Sequence, residues 1–147
     1  MDAGLETIVA AETILSDVDG ANGRLIIRGR EIEDLAKAFN FEQTAHHLWR
    51  GLFEGELGAA ALQKALGQAR ANAFSRLMPD FARIARLPEV EALRAALALA
   101  QDGHDLTSAI DLVATMAVAS GAIARLKAGH EPLAPDPAAQ HGADLLR

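Results

Sequence analysis

The chain has 147 residues, half of them hydrophobic, with no cysteine, no tyrosine and a formal net charge of −6. That length suits one domain burying roughly 70% of its unfolded-chain surface, and without cysteine there is no disulfide, thiolate metal site, iron–sulfur cluster or cysteine nucleophile. The acidic balance and the lack of any basic run argue against electrostatic binding to nucleic acid or an anionic membrane.

The uncharged stretch in the most apolar segment, 112–124, is 13 residues long, short of the about 20 that span a bilayer. Asp2 and Glu6 stand where a secretory signal would carry a basic flank and an apolar core. The expectation is a soluble, cytoplasmic protein. Ala contributes 32 residues and Leu 20, whereas Ile, Val and Thr total 18, nine of them before residue 33. Strand chemistry therefore gathers at the N-terminus, and the rest is expected to be helical.

In chain order, 6–15 and 24–28 are expected as strands around a polar turn, 16–23, where Asp19-Gly20 and Asn22-Gly23 offer positive φ. Ile32, Leu35 and Ala36 mark a short amphipathic helix. Asn40, with Gln43 three residues on, has the form of a capping box. The helix behind it presents Phe41, Ala45, Leu48 and Leu52 on one face.

A longer helix is predicted over about 59–77, with Leu62, Leu66, Ala69, Ala73 and Leu77 buried. A helical piece follows around 81–85. Pro88 then opens a helix whose inner face is Val90, Leu93 and Leu97. The most apolar helix is expected over about 106–128, closed by Gly129, with Arg125 and Lys127 at its negative end. So much apolar circumference implies a central helix or one covered by another subunit, and Gly121 would admit a close neighbour. A Pro-rich connector, 131–136, leads to a last helix expected to be capped by Asp136, to start at Pro137 and to run to the chain end uncapped.

The five histidines form no ligand set. His46 and His47 are adjacent on a helix and point about 100° apart, while His104, His130 and His141 fall in a loop, a connector and a helix start with no ligand spacing. Surface or capping roles are expected for all five. Asp17, Asp19 and Asn22 superficially follow a calcium loop, but Asn22 holds the place of the turn glycine and Arg28 that of the closing glutamate. The pairs Glu31/Glu33 and Glu89/Glu91 are spaced i, i+2 and are expected on solvated helix faces. Residue chemistry alone thus describes a helical domain with a small hairpin and discloses no reaction.

Several segments match a known pattern. The run Ser16-Asp17-Val18-Asp19-Gly20 through Arg28-Gly29 resembles the hairpin "S-x-x-D-G-x-x-G-x-L-x-x-R-G" at the start of bacterial citrate synthases. Ile32 to Ala36 resembles the family's "I-E-x-L-A" helix, and Phe41 to Gly51 its "F-E-x-x-A-x-L-L-x-x-G" helix. Pro88 to Leu97 resembles a "P-x-x-x-L-R" helix. Ala134-Pro135-Asp136-Pro137 matches the connector after the family's long helix, and His141 to Leu146 the start of the next helix.

The resemblance covers essentially the whole chain and implies a mainly α fold, an N-terminal β-hairpin followed by a helical bundle, within the family's large domain. It implies a single partial domain, 1–147, with a hairpin segment 1–30 and a helical region 31–147 that ends inside a helix. The family's reaction is a Claisen-type condensation of acetyl-CoA with oxaloacetate, with propionyl-CoA used by close relatives. Two histidines and an aspartate work as general acids and bases, and arginines clamp the carboxylates.

Those catalytic residues lie in the family's later portion, so no catalytic, cofactor-binding or metal residue is assigned to this chain. As an N-terminal portion it is expected to be inactive alone. The resemblance places 106–128 among helices packed across a dimer interface, so the expected partner is a second copy or a citrate synthase C-terminal half. The alternative is a non-catalytic interaction subunit of a full-length or split synthase, with no nucleic-acid or membrane partner.

Overall fold

The computed structural model describes residues 13–147. The chain divides into two compact units, Met1–Asn40 and Phe41–Arg147. The sequence reading separates hairpin from helices at residue 30; the division falls ten residues later because the first helix packs on the strands.

In the first unit, β1 (Ser16–Asp19), β2 (Arg24–Ile27) and β3 (Arg30–Glu31) form an antiparallel meander, followed by α1 (Ile32–Ala38). The register pairs Ser16 with Ile27, Asp19 with Arg24, and Ile27 with Arg30. The β1–β2 loop is closed by the Asp19 carboxylate, which accepts from the Asn22 backbone N–H at 3.1 Å and from Asn22 Nδ2 at 2.7 Å. Gly23 takes a φ of +64° there, whereas Gly20 does not adopt a positive φ. The β2–β3 turn is only Arg28 and Gly29, with φ of +45° and +79°. Two successive positive values are the handedness that joins tightly paired strands without splaying them.

An ion pair of Arg24 with Glu31 spans β2 and β3, and the Arg30 guanidinium lies 5.2 Å from the centre of the Phe39 ring. Leu35 is the buried residue of α1. The expected strand 6–15 lies mostly outside the described residues. β1 itself falls on Ser16–Asp19, assigned above to the turn, and β3 is unanticipated. Ser and Asp have poor strand propensity, so β1 is held by its ladder with β2 and not by its own residues.

The second unit is helical: α2 (Phe41–Trp49), α3 (Ala59–Leu77), α4 (Phe81–Ile84), α5 (Glu89–Leu97), α6 (Leu106–Lys127) and α7 (His141–Leu145). The long helices α3 and α6 pack on each other. α5 and α4 lie against α6, α2 against α3, and α7 touches α2, α3 and α6. One apolar cluster joins Ala73 and Leu77 of α3, Phe81 and Ile84 of α4, Ala92 and Ala96 of α5, and Val118, Ala119, Ala122 and Ile123 of α6. A second joins Ala45, Leu62, Leu66 and Ile110. Each large aliphatic side chain so buried contributes about 1.5–3 kcal/mol relative to exposure.

α6 begins at Asp105, whose carboxylate accepts from the Ser108 N–H and hydroxyl, both at 2.8 Å. It ends in a Schellman motif. Gly129, at φ +80°, donates to Leu126 O, and His130 donates to Arg125 O. With a mean hydropathy of 1.6, α6 is long and apolar enough to cross a bilayer by length and composition. Here its apolar residues pack on α3, α4 and α5.

Two expected faces and one expected helix start differ. On α5, Leu93 packs against the core as expected, but the fully buried residues are Ala92 and Ala96 and Val90 is exposed, because small residues at i, i+4 let α5 approach α6 closely. On α2 the buried residues are Glu42 and Ala45, while Phe41 and Leu52 are exposed. The last helix starts at His141, not Pro137. Asp136 Oδ1 accepts from the Ala138 N–H at 2.9 Å, which makes a local turn, and Gln140 stands at the helix N-cap.

Candidate functional site

The most elaborate side-chain arrangement lies where the connector and α7 meet α3. Gly67 and Arg70 sit one turn apart on the face of α3 that also carries Leu66 and Ala73, and all four are buried. A methyl group on Gly67 would lie 2.0 Å from the Pro137 carbonyl oxygen, so the connector rests directly on the helix backbone.

Arg70 is 1% exposed, which demands that its charge and donors be matched. Its Nε donates to Asp144 Oδ2 at 2.7 Å and its Nη1 to His141 Nδ1 at 3.2 Å. Its Nη2 donates to the carbonyls of Asp136 at 3.1 Å and Ala139 at 2.9 Å. The planar fork thus clamps both connector and helix, a geometry unavailable to lysine.

Asp144 and His141 are tied from other sides. Asp144 Oδ1 accepts from the Asp136 N–H at 2.8 Å and from Arg147 Nη1 at 2.9 Å. Burial pushes the Asp144 carboxyl up, but those hydrogen bonds and Arg70 outweigh it and hold it below the usual range. The His141 N–H donates to Glu42 Oε1 at 2.6 Å, and its ring stacks on Phe41 with centroids 4.3 Å apart. Because Arg70 donates to Nδ1, the ring proton sits on Nε2. Burial first, and then the Arg70 charge, push the imidazole below its ordinary range, against Glu42 and Asp144. Glu42 Oε2 is buried without a hydrogen-bond partner.

A second polar crosslink joins the long helices. Arg76 of α3 donates to both Asp111 carboxylate oxygens at 3.0–3.1 Å and to Thr115 Oγ1 at 2.7 Å. It borders an open groove of about 680 Å³ that Gln68, Asn72 and Leu106 also line. Beside the Arg70 cluster, Gly121, Arg125, Leu133 and Leu145 line a cavity of about 40 Å³. Both arrangements hold elements together, with most donors and acceptors used internally.

The histidines are dispersed. His104 and His130 are exposed, His46 and His47 are half-buried, and His141 is buried. His141 therefore departs from the surface or capping role expected of it. Among the described residues, no three His, Asp or Glu side chains form a group able to hold a metal. Glu31 lies in β3, not on a helix, paired with Arg24; Glu89 is exposed, 3.6 Å from Lys127 Nζ. Asp19 and Asn22 bond to each other in the β1–β2 turn. Sequence reasoning missed Glu42, Arg70, His141 and Asp144. The available signal was Arg70, a charge in the middle of an otherwise apolar helical stripe.

The sequence profile of the family described as citrate synthase, C-terminal domain, matches residues 4–147. The chain belongs to the citrate synthase family. It is 29% identical to a citrate synthase of Haloferax volcanii, covering 97% of this chain and 41% of that protein. It is 27% identical to one from Acidithiobacillus ferridurans with the same coverage. The crystal structure of citrate synthase from Thermotoga maritima matches at a TM-score of 0.72 and 24% identity, over 99% of this chain and 40% of that one. That likeness establishes the mainly helical fold as a citrate synthase fold. The chain spans about two-fifths of the length of these citrate synthases.

Proposed function

We propose that this chain is an N-terminal scaffold portion of a citrate synthase-type acyltransferase, cytoplasmic and serving the tricarboxylic acid cycle, and that it supplies packing surfaces and no catalytic group. In the complete reaction acetyl-CoA, oxaloacetate and water give citrate and CoA, the carbon–carbon bond forming by general acid–base chemistry at the thioester methyl group and water then hydrolysing the thioester. The observation carrying the reading is the use made of the one buried histidine–aspartate–arginine set. Arg70, His141 and Asp144 bond to one another and to the connector backbone, so they hold structure and face no substrate-sized cavity. Coverage of two-fifths of the relatives supports the same reading.

The test is release of CoA thiol from acetyl-CoA and oxaloacetate by the purified chain. No turnover above the uncatalysed rate is expected, and saturable turnover would overturn the proposal. A second reading, a non-catalytic subunit that pairs through α6, is favoured by Leu112 and Met116, which remain 50% and 41% exposed on an otherwise apolar helix. Under it the chain homodimerises or binds a citrate synthase C-terminal half, and co-purification with that half is the expected result.

A further inference from the structure

We propose that the contact of Arg70 with His141 is a proton-operated latch: a proton taken up at Nδ1 releases the connector and α7 from α3, while the α3–α6 pair stays folded. The geometry makes the contact intolerant of that proton. At 3.2 Å, Nδ1 accepts an Arg70 N–H; once protonated it sets donor against donor and cation against cation. Few apolar groups would hold α7 in place afterwards. It is five residues long, and Leu145 and Leu146 are exposed. The connector has no regular structure between 130 and 136; the carbonyls of Asp136 and, just beyond it, Ala139 are fastened to the same guanidinium, alongside single hydrogen bonds from Arg125 Nε to Glu131 O and from Gln63 Nε2 to Ala138 O. Segments with few buried contacts open independently of the core.

Every charged neighbour has a defined part. Arg70 of α3 opposes the imidazolium; Glu42 of α2 and Asp144 of α7 itself favour it. Asp144 is already engaged by Arg70, Arg147 and the Asp136 N–H, and Glu42 Oε1 by the His141 N–H. On the α6 side Arg125 lines the small cavity next to Asp144 and Leu145, adding positive charge. Glu42 Oε2, on the residue whose other oxygen takes the His141 backbone N–H, is left without a hydrogen-bond partner.

The sign is fixed by the downward displacement of His141 in the fold. The released form binds the proton more tightly, so latching is complete above the ordinary histidine value of about 6.5. It is lost as pH falls from there through the folded value. Asp144, held below the carboxylate range, stays charged in that window and does not confound it.

The test is backbone hydrogen exchange on the full chain between about pH 7.5 and about pH 5, corrected for intrinsic rates. Exchange at the His141 and Asp144 amides is expected to rise about ten-fold, with Ala117–Ala119 in α6 unchanged. His141→Asn keeps an acceptor near the Nδ1 position without a titrating proton and is expected to abolish the pH response. A flat wild-type response, an unchanged response in H141N, or a parallel rise in α6 overturns the latch. Should H141N not fold, the wild-type ring is followed directly by NMR. Titration in step with exchange, below the ordinary histidine value, supports the latch, and titration at or above that value overturns it.

Discussion

Arg70 shows how one side chain can set the course of a chain segment. A guanidinium buried among apolar neighbours is tolerable only with its donors matched, and the matching groups are spread over Asp136, Ala139, His141 and Asp144. Replacing Arg70 with Met leaves the Asp144 carboxylate buried beside an apolar chain. Breaking a buried pair from one side costs about 3–5 kcal/mol, so R70M is expected to lower the urea midpoint markedly; an unchanged midpoint would show that the clamp is dispensable.

Two α-helical glycines separate steric need from helix propensity. Gly67→Ala sets a methyl group 2.0 Å from Pro137 O, and relief of such an overlap costs about 1–3 kcal/mol. Gly121→Ala meets only Leu145 O at 4.0 Å, an ordinary contact, and gains up to about 1 kcal/mol of helix propensity. Thermal unfolding of the two variants should move in opposite directions.

At the scale of elements, the ends of α3 and α6 were more legible than the faces of α2 and α5. α3 runs over Ala59–Leu77 as its apolar spacing predicts, and α6 stops within a residue of the expected end, because Gly129 and Asp105 act locally on the backbone. Gly129→Ala, at φ +80°, is expected to cost about 1 kcal/mol and to fray the last turn of α6, read as faster exchange at Ala128 and His130. Equal exchange in the variant would show that the Schellman turn contributes nothing.

The faces depended on neighbours. Val90 and Leu97 are larger than Ala92 and Ala96, yet the alanines face α6 because closeness, not bulk, governs that crossing. Likewise Phe41 lies outside while Glu42 lies inside, since Glu42 Oε1 answers a backbone N–H 99 residues away. No local pattern encodes such a partner.

For the whole molecule, the unanswered feature is the uncovered side of α6. A 22-residue helix of mean hydropathy 1.6 is buried where it meets α3, α4 and α5, yet shows Leu112 and Met116 to solvent. Light scattering after size exclusion is expected to give a dimer. Leu112→Glu with Met116→Lys is expected to give a folded monomer with an unchanged circular-dichroism spectrum. A wild-type monomer, or a double variant that still dimerises, removes α6 from the interface.

By itself the sequence determined the helical class and the positions of α3 and α6, because these follow from composition, spacing of apolar residues and capping chemistry, all of which act within a few residues; the family was legible only through the resemblance of its hairpin and connector motifs. Tertiary structure alone decided which residues of α2 and α5 turn inward, that β1 forms from Ser16–Asp19, and that the last helix begins at His141. It also decided that Glu42, Arg70, His141 and Asp144 meet. The meeting of those four residues rests on pairing between segments some 70 to 100 residues apart, where matching of buried charge and donors outweighs local preference, whereas β1 and the α5 face were set by the neighbouring β2 and α6.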